Sequence, residues 1–169
     1  NVTPDSFSDG GRYMDAGKAL ERAVEMQEQG AGILDVGGES SRPGAAPVTA
    51  EEELRRVLPV VRRITKKLRI PVSIDTVNPG TAEACLDAGA AMINDISGLR
   101  AHPELAEIIS KYRAGAVIMH MKGSPRTMQK SPRYGNIMRE IREFLKTGAR
   151  TAIDAGVAEN AIAVDPGIG

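Results

Sequence analysis

The chain has 169 residues, 22 Lys+Arg against 22 Asp+Glu, 41% hydrophobic and 26% charged, the composition of one globular domain; a disordered or collagen-like chain is excluded. Zero formal net charge and 3% aromatic residues supply neither the basic field nor the stacking platform that nucleic-acid binding draws on. No apolar run approaches the roughly 18 residues of a membrane span, and the start, Asn1-Val2-Thr3-Pro4, has no basic region followed by an apolar one, so the expected location is cytoplasmic.

In chain order, short apolar runs alternate with longer stretches of helical spacing, the pattern of repeated βα units around a parallel sheet. The opening Asn1-Val2-Thr3-Pro4-Asp5-Ser6-Phe7-Ser8-Asp9-Gly10-Gly11 reads as a loop. A helix is predicted from about Ala16 to Gln29, with Leu20, Ala23, Val24 and Gln27 on one face, Lys18, Glu21, Arg22 and Glu25 facing water, and Gly30 as a left-handed stop. A strand follows over Ile33 to Val36. Thr49 with Glu52 is a capping-box signature that opens a second helix, whose apolar stripe runs Leu54, Val57, Leu58, Val61, Ile64 and Leu68. Pro59 falls inside the stripe and predicts a kink rather than a break, because the apolar phase continues across it. Further strands are predicted at Val72 to Asp75, Met92 to Ile96, Ala116 to His120 and Ala161 to Asp165, with helices at Pro79 to Ala88, Pro103 to Tyr112 and about Arg133 to Ala155. Cys85, the single cysteine, sits among Ala82, Ala84, Leu86 and Ala88 and is expected to pack as a small apolar residue.

No composition shift marks a second domain, so residues 1–169 are expected to form one. Both ends read as cut within a motif, at Asn1-Val2-Thr3-Pro4-Asp5 and at Asp165-Pro166-Gly167-Ile168-Gly169. An open flavodoxin-like sheet and an incomplete (β/α)8 barrel both fit the alternation. The polar residues favour the barrel: Asp35, Asp75, Asn94 with Asp95, His120 and Asp165 fall at strand ends, and a barrel gathers those ends on one face. A whole barrel needs about 250 residues, so the expected fold is a truncated (β/α)8 barrel carrying about strands two to six and the loop after strand one.

Asp75, Asn94 and Asp165 each follow apolar strand residues. Buried carboxylates are costly unless donors satisfy them, so three such groups at one mouth suit a flat heterocycle rich in N–H donors, as in a pterin or guanine. Each alone would equally cap a following helix or turn. Gly37-Gly38-Glu39-Ser40-Ser41-Arg42-Pro43-Gly44 combines small residues, two hydroxyls and one Arg, the makings of an anion-binding loop; without a lysine it is no Walker sequence. Asn1, Asp5 and Asp9 offer oxygen ligands that suit Mg²⁺ beside a phosphate, with Phe7 as an apolar cover. His120 reads as a hydrogen-bonded structural residue rather than a catalyst, and two histidines with one cysteine argue against zinc.

At these motifs the sequence resembles the dihydropteroate synthase family along essentially its whole length. The opening segment resembles that family's first signature and Asp35-Val36-Gly37-Gly38-Glu39-Ser40-Ser41-Arg42-Pro43-Gly44 its second; Ser73-Ile74-Asp75-Thr76, Ile93-Asn94-Asp95-Ile96, Met119-His120-Met121-Lys122-Gly123 and Asp165-Pro166-Gly167 follow in the family's order. The resemblance implies a (β/α)8 barrel that joins p-aminobenzoate to 6-hydroxymethyl-7,8-dihydropterin pyrophosphate and releases pyrophosphate in the presence of Mg²⁺. It implies a pterin site at Asp75, Asn94 and Asp165 with Ile96 and Met119 among the substrate contacts, Asn1 and Arg42 at the pyrophosphate and metal, Phe7, Ser41 and Pro43 around p-aminobenzoate, and a homodimeric parent enzyme. Asp5 and Asp9 are expected to act from a loop that closes over the site.

Three departures stand out. Ser41 stands where the family often has Thr, Val77-Asn78 replaces a residue pair ending in a basic side chain, and the family's later lysine, Ser-Arg-Lys and Arg-x-His segments are absent. The 169 residues alone are therefore expected to have no turnover and to fold poorly, since an open barrel leaves strand edges unpaired. A methyltetrahydrofolate-type methyltransferase barrel would share the pterin contacts without needing the Ser40-Ser41-Arg42 loop, and a non-catalytic module on a partial barrel is the alternative from another class.

Overall fold

The computed structural model describes residues 1–2, 16–39, 48–123, 127–128 and 132–168. They form α1 (Ala16–Glu28), β1 (Leu34–Gly37), α2 (Ala50–Lys67), β2 (Val72–Asp75), α3 (Pro79–Asp87), β3 (Met92–Asp95), α4 (Leu105–Lys111), β4 (Gly115–Met119), α5 (Ile137–Asp154), a 3-10 turn (Glu159–Ala161) and β5 (Ile162–Asp165). No helix among these residues is long and apolar enough to cross a membrane.

The five strands are all parallel and lie in the order β1-β2-β3-β4-β5, each beside its predecessor. Right-handed crossovers that always step the same way put every helix on one face of the sheet. A flavodoxin-like sheet must instead reverse its order at a switch point. The absence of a reversal among the described strands decides between the two folds left open by periodicity, and the sheet is an arc of a (β/α)8 barrel.

The pleat sorts the strand residues between the faces. Leu34, Val36, Val72, Ile74, Ile93, Ala116 and Ile118 point outward and are buried under the helices, where Val57, Ile64, Leu105 and Ile109 have no exposed surface. Each large side chain so covered contributes about 1.5–3 kcal/mol of transfer free energy. Inner-face residues, apart from Gly37 and Ser73, are half-buried or exposed. β5 is an edge among the described strands, and its Val164 is 54% exposed beside an apolar groove formed with Met138, Ile141 and Leu145 of α5.

α2 begins as the sequence requires: Thr49 Oγ1 accepts from the Glu52 N–H at 3.2 Å, and three acids in the first turn complement the helix dipole. The helix runs on across Pro59, which is exposed, so the carbonyl left without its N–H partner faces solvent. Its buried face is Glu53, Val57, Val60, Val61 and Ile64, one step round from the expected stripe, with Leu54 and Leu58 half-buried. α1 is likewise rotated: Ala19 and Ala23 are buried, while Gln27 Oε1 accepts from the backbone N–H of Arg69 at 2.7 Å.

Element ends differ from expectation by one to four residues. Ile33 precedes β1 and is 52% exposed, Ile96 falls in a turn after β3, β4 starts at Gly115, and Ala161 belongs to the 3-10 turn. α4 starts at Leu105 because the Leu105 N–H closes a tighter turn onto His102 O, and α5 starts after Asn136, whose side chain caps the Arg139 N–H at 3.0 Å. Gly30 takes φ +97°, as its stop role requires.

Gly38 has no room for a side chain: a Cβ there would stand 2.7 Å from Val57 Cγ2, 2.9 Å from Glu53 Cγ and 3.2 Å from Glu53 O. Gly38→Ala is expected to lower stability by about 1–3 kcal/mol, measured as a fall in the urea midpoint without a change in slope.

Candidate functional site

Strand register brings the inner-face polar residues together. Asp75 is paired with Gly37 on one side and Asn94 on the other; Asn94 is paired with Val117, and Met119, two residues along the same strand, is paired with Asp165. Asp75, Asn94, Met119 and Asp165 therefore share the concave face, within a residue or two of the C-terminal ends of β2, β3, β4 and β5. Ile96 lies in the turn directly after β3, half-buried. Asn94 donates through Nδ2 to Asp35 Oδ2 at 3.1 Å, leaving its amide oxygen as an acceptor, and Asp165 Oδ1 accepts from the Gly167 N–H at 2.7 Å.

Gly37 makes the floor beside Asp75. A Cβ at that position would stand 3.2 Å from Asp75 Oδ2 and 3.3 Å from Asn1 Oδ1, so the missing side chain lets an acid and an amide close on the same spot. Asn1 is held there by its neighbour, whose N–H donates to Gly37 O at 2.7 Å.

Burial, reinforced by the negative charges of Asp35, Glu53 and Glu39, pushes the Asp75 carboxyl up from 3.8 to about 7. A folded-state value above the unfolded one means the native protein binds the extra proton between about pH 4 and pH 7. Stability from this group is thus present at low pH and lost as pH rises through that window. Asp75→Asn, which cannot ionise, is expected to gain about 1–3 kcal/mol over the wild type at pH 8 and nothing at pH 4, by urea unfolding at both pH values.

Two strand-end residues of the expected set face the other way. Asp95 is 1% exposed and spends both oxygens on its own turn, accepting from the Ser97 N–H at 2.6 Å and the Leu99 N–H at 2.9 Å. His120, 6% exposed, meets the Phe144 ring edge-on at 4.9 Å and lies 6.0 Å from Tyr134; it is a packed structural residue, as its sequence context suggests. Cys85 is buried, and loss of solvent pushes its thiol up to about 12, so it is inert.

The cations near this rim are already engaged. Lys122 pairs with Glu140 at 3.0 Å, donates to the Arg133 carbonyl and lies 4.1 Å from the Tyr134 ring centroid; Arg100 stacks 3.9 Å over Phe144; Arg56 bonds Glu52 and Gly38 O. Asp5, Phe7, Asp9, Ser41, Arg42 and Pro43 lie outside the described residues. Among the described residues no group of three or more His, Cys, Asp and Glu side chains is arranged to hold a metal ion.

The family model described as "Pterin binding enzyme" matches residues 1–169. The chain belongs to the pterin-binding enzyme family. It is 43% identical over 169 residues to the dihydropteroate synthase of Synechocystis sp., matching all of this chain and 58% of that protein. Two solved structures of the Xanthomonas albilineans dihydropteroate synthase superpose on the whole chain. The one with 4-aminobenzoic acid has a TM-score of 0.88 at 41% identity over 59% of its length, and the one in complex with 7,8-dihydropteroate 0.84 at 38% over 58%. The chain thus spans about three-fifths of the length of these relatives.

Sequence reasoning counted Asp35 among the strand-end residues but gave it no role of its own, and passed over Glu53 altogether. The signal for Asp35 is its place one residue before the end of an apolar strand; that for Glu53 is its place four residues before Val57, on the buried phase of an amphipathic helix.

Proposed function

We propose that the complete protein is a dihydropteroate synthase, joining p-aminobenzoate to 6-hydroxymethyl-7,8-dihydropterin pyrophosphate. The observation that carries this reading is the register that sets Asp75, Asn94 and Asp165 on one concave rim. The two carboxylates accept from the amino and ring N–H groups of the pterin, and the Asn94 amide both donates and accepts. Ile96 and Met119 supply apolar contact beside them, and Phe7, Ser41 and Pro43 surround p-aminobenzoate. A bond forms between the amine nitrogen and the pterin methylene carbon, the bond from that carbon to the pyrophosphate oxygen breaks, and the amine proton leaves. The neutral aryl amine needs no strong base. Acids around the pterin favour positive charge growing on the methylene carbon, Arg42 favours negative charge growing on the departing pyrophosphate, and Asp5 and Asp9 act from a closing loop that excludes water.

Asn1 Oδ1, beside the Gly37 floor, would be the described protein oxygen for a Mg²⁺ ion at the pyrophosphate, a hard oxygen donor of the kind that ion takes. When bound, it supplies charge compensation to the leaving group. The protein works in the cytoplasm as a homodimer, which sedimentation of the full-length protein tests. The direct test of function is dihydropteroate formation by the full-length protein, with calorimetry against pyrophosphate and Mg²⁺. Turnover with pyrophosphate binding is expected; pterin binding without a pyrophosphate site would overturn the transferase reading in favour of other pterin chemistry.

A further inference from the structure

Glu53 takes no part in the chemistry above, yet it is a carboxylate with 3% of its surface exposed, at a position where the helix needs an apolar residue. Its Oε2 accepts from Thr76 Oγ1 at 2.9 Å and from Asn78 Nδ2 at 2.9 Å, and the Asn78 N–H in turn donates to Thr76 Oγ1 at 3.0 Å. Thr76 is itself 3% exposed, and its backbone N–H donates to Asn94 O at 3.2 Å. On the other side, the Glu53 Cγ and backbone carbonyl lie where any side chain on Gly38 would go. One side chain of α2 therefore touches the exits of β1 and β2, and through Thr76 reaches β3. Asp75 sits between those points. Both of these donors are neutral, and Glu53 forms no ion pair among the described residues. Holding an acid in that state is costly unless it does something an apolar residue cannot.

We propose that Glu53 is a positioning residue for the pterin site, locking the Asp75–Thr76 exit of β2 against the Gly37–Gly38 exit of β1 so that the Asp75 carboxylate meets the ligand at a fixed place. This rests on the pterin reading of the rim. Asn78 gains a role in the same stroke: its amide is a neutral donor to Glu53.

The test uses the full-length protein, 6-hydroxymethylpterin as probe and calorimetric affinities from pH 5.5 to 8.5. Glu53→Gln keeps an acceptor for Thr76 and Asn78 and removes the charge. Its affinity at pH 8.5 is expected within about threefold of wild type, the conservative variant keeping what Glu53→Leu loses. Glu53→Leu strands both donors and is expected to weaken the pterin about tenfold or more at every pH. Thr76→Val is expected to cost clearly less in the Glu53→Leu background than in wild type, since the two changes break one network. Affinity in folded Glu53→Gln as weak as in Glu53→Leu, or wild-type affinity in folded Glu53→Leu, would overturn the proposal; if Glu53→Leu does not fold, Thr76→Val in the wild-type background decides, and wild-type affinity there overturns it. Wild-type protein that binds no pterin at any pH overturns the underlying reading instead, and is distinguishable for that reason.

Discussion

Asp75→Ala is expected to weaken pterin binding by about two to three orders of magnitude while leaving the protein folded. The carboxylate lies at the centre of the rim, paired in register with Gly37 and Asn94 and abutting the floor beside Asn1. A pterin edge offers it two N–H donors. With the acceptor gone, each donor is left unpaired in a partly desolvated place, at about 1–3 kcal/mol apiece and more where the partner was charged. About 3–4 kcal/mol is two to three decades in Kd. The sign on stability is opposite, since burial and three neighbouring acids disfavour ionised Asp75 in the empty protein. A variant that unfolds later at pH 8 and no longer binds pterin would show that the carboxylate is kept for its ligand. Equal loss of both would mean that it is kept for the fold.

Arg42→Ala is expected to lower kcat of the full-length protein by about 10²–10³-fold with little change in pterin affinity measured without pyrophosphate. In the proposed reaction negative charge would grow on the departing pyrophosphate, where a guanidinium would act on the developing charge rather than on the resting substrate. Arg42 is the single basic residue of the segment from Gly37 to Gly44. Lys122, Arg100 and Arg56, the cations at the described rim, are held by Glu140, the Phe144 ring, and Glu52 with Gly38 O. Arg42→Lys is expected to recover only part of the rate, because an ammonium lacks the planar fork that grips two phosphate oxygens at once. A full rate in Arg42→Ala would remove the residue from the mechanism.

How far these residues were visible in the sequence varies for physical reasons. β2 was readable to the residue because an apolar run bounded by Pro71 and a polar turn leaves little choice of register. That Asp75, Asn94 and Asp165 converge depends on strands stepping always in one direction, which periodicity does not encode and strand order does. Asp95 fell at a strand end as they do, but the alternation of a strand sends its side chain, like that of His120, to the helix side, where a turn and two rings take them up. Glu53 was hidden in plain view. An acid in the first turn of a helix is explained by the dipole alone, and only the contact with Thr76 and Asn78, 23 and 25 residues away, shows that it faces inward.

A crystal structure of the full-length protein with 6-hydroxymethylpterin bound puts the central claim to its most direct test. The flat ring is expected on the concave face, with N–H donors about 2.7–3.1 Å from the carboxylates of Asp75 and Asp165 and its remaining polar edge on the Asn94 amide. A ring bound away from the strand ends, or one that leaves Asp75 and Asp165 both in solvent, would contradict it.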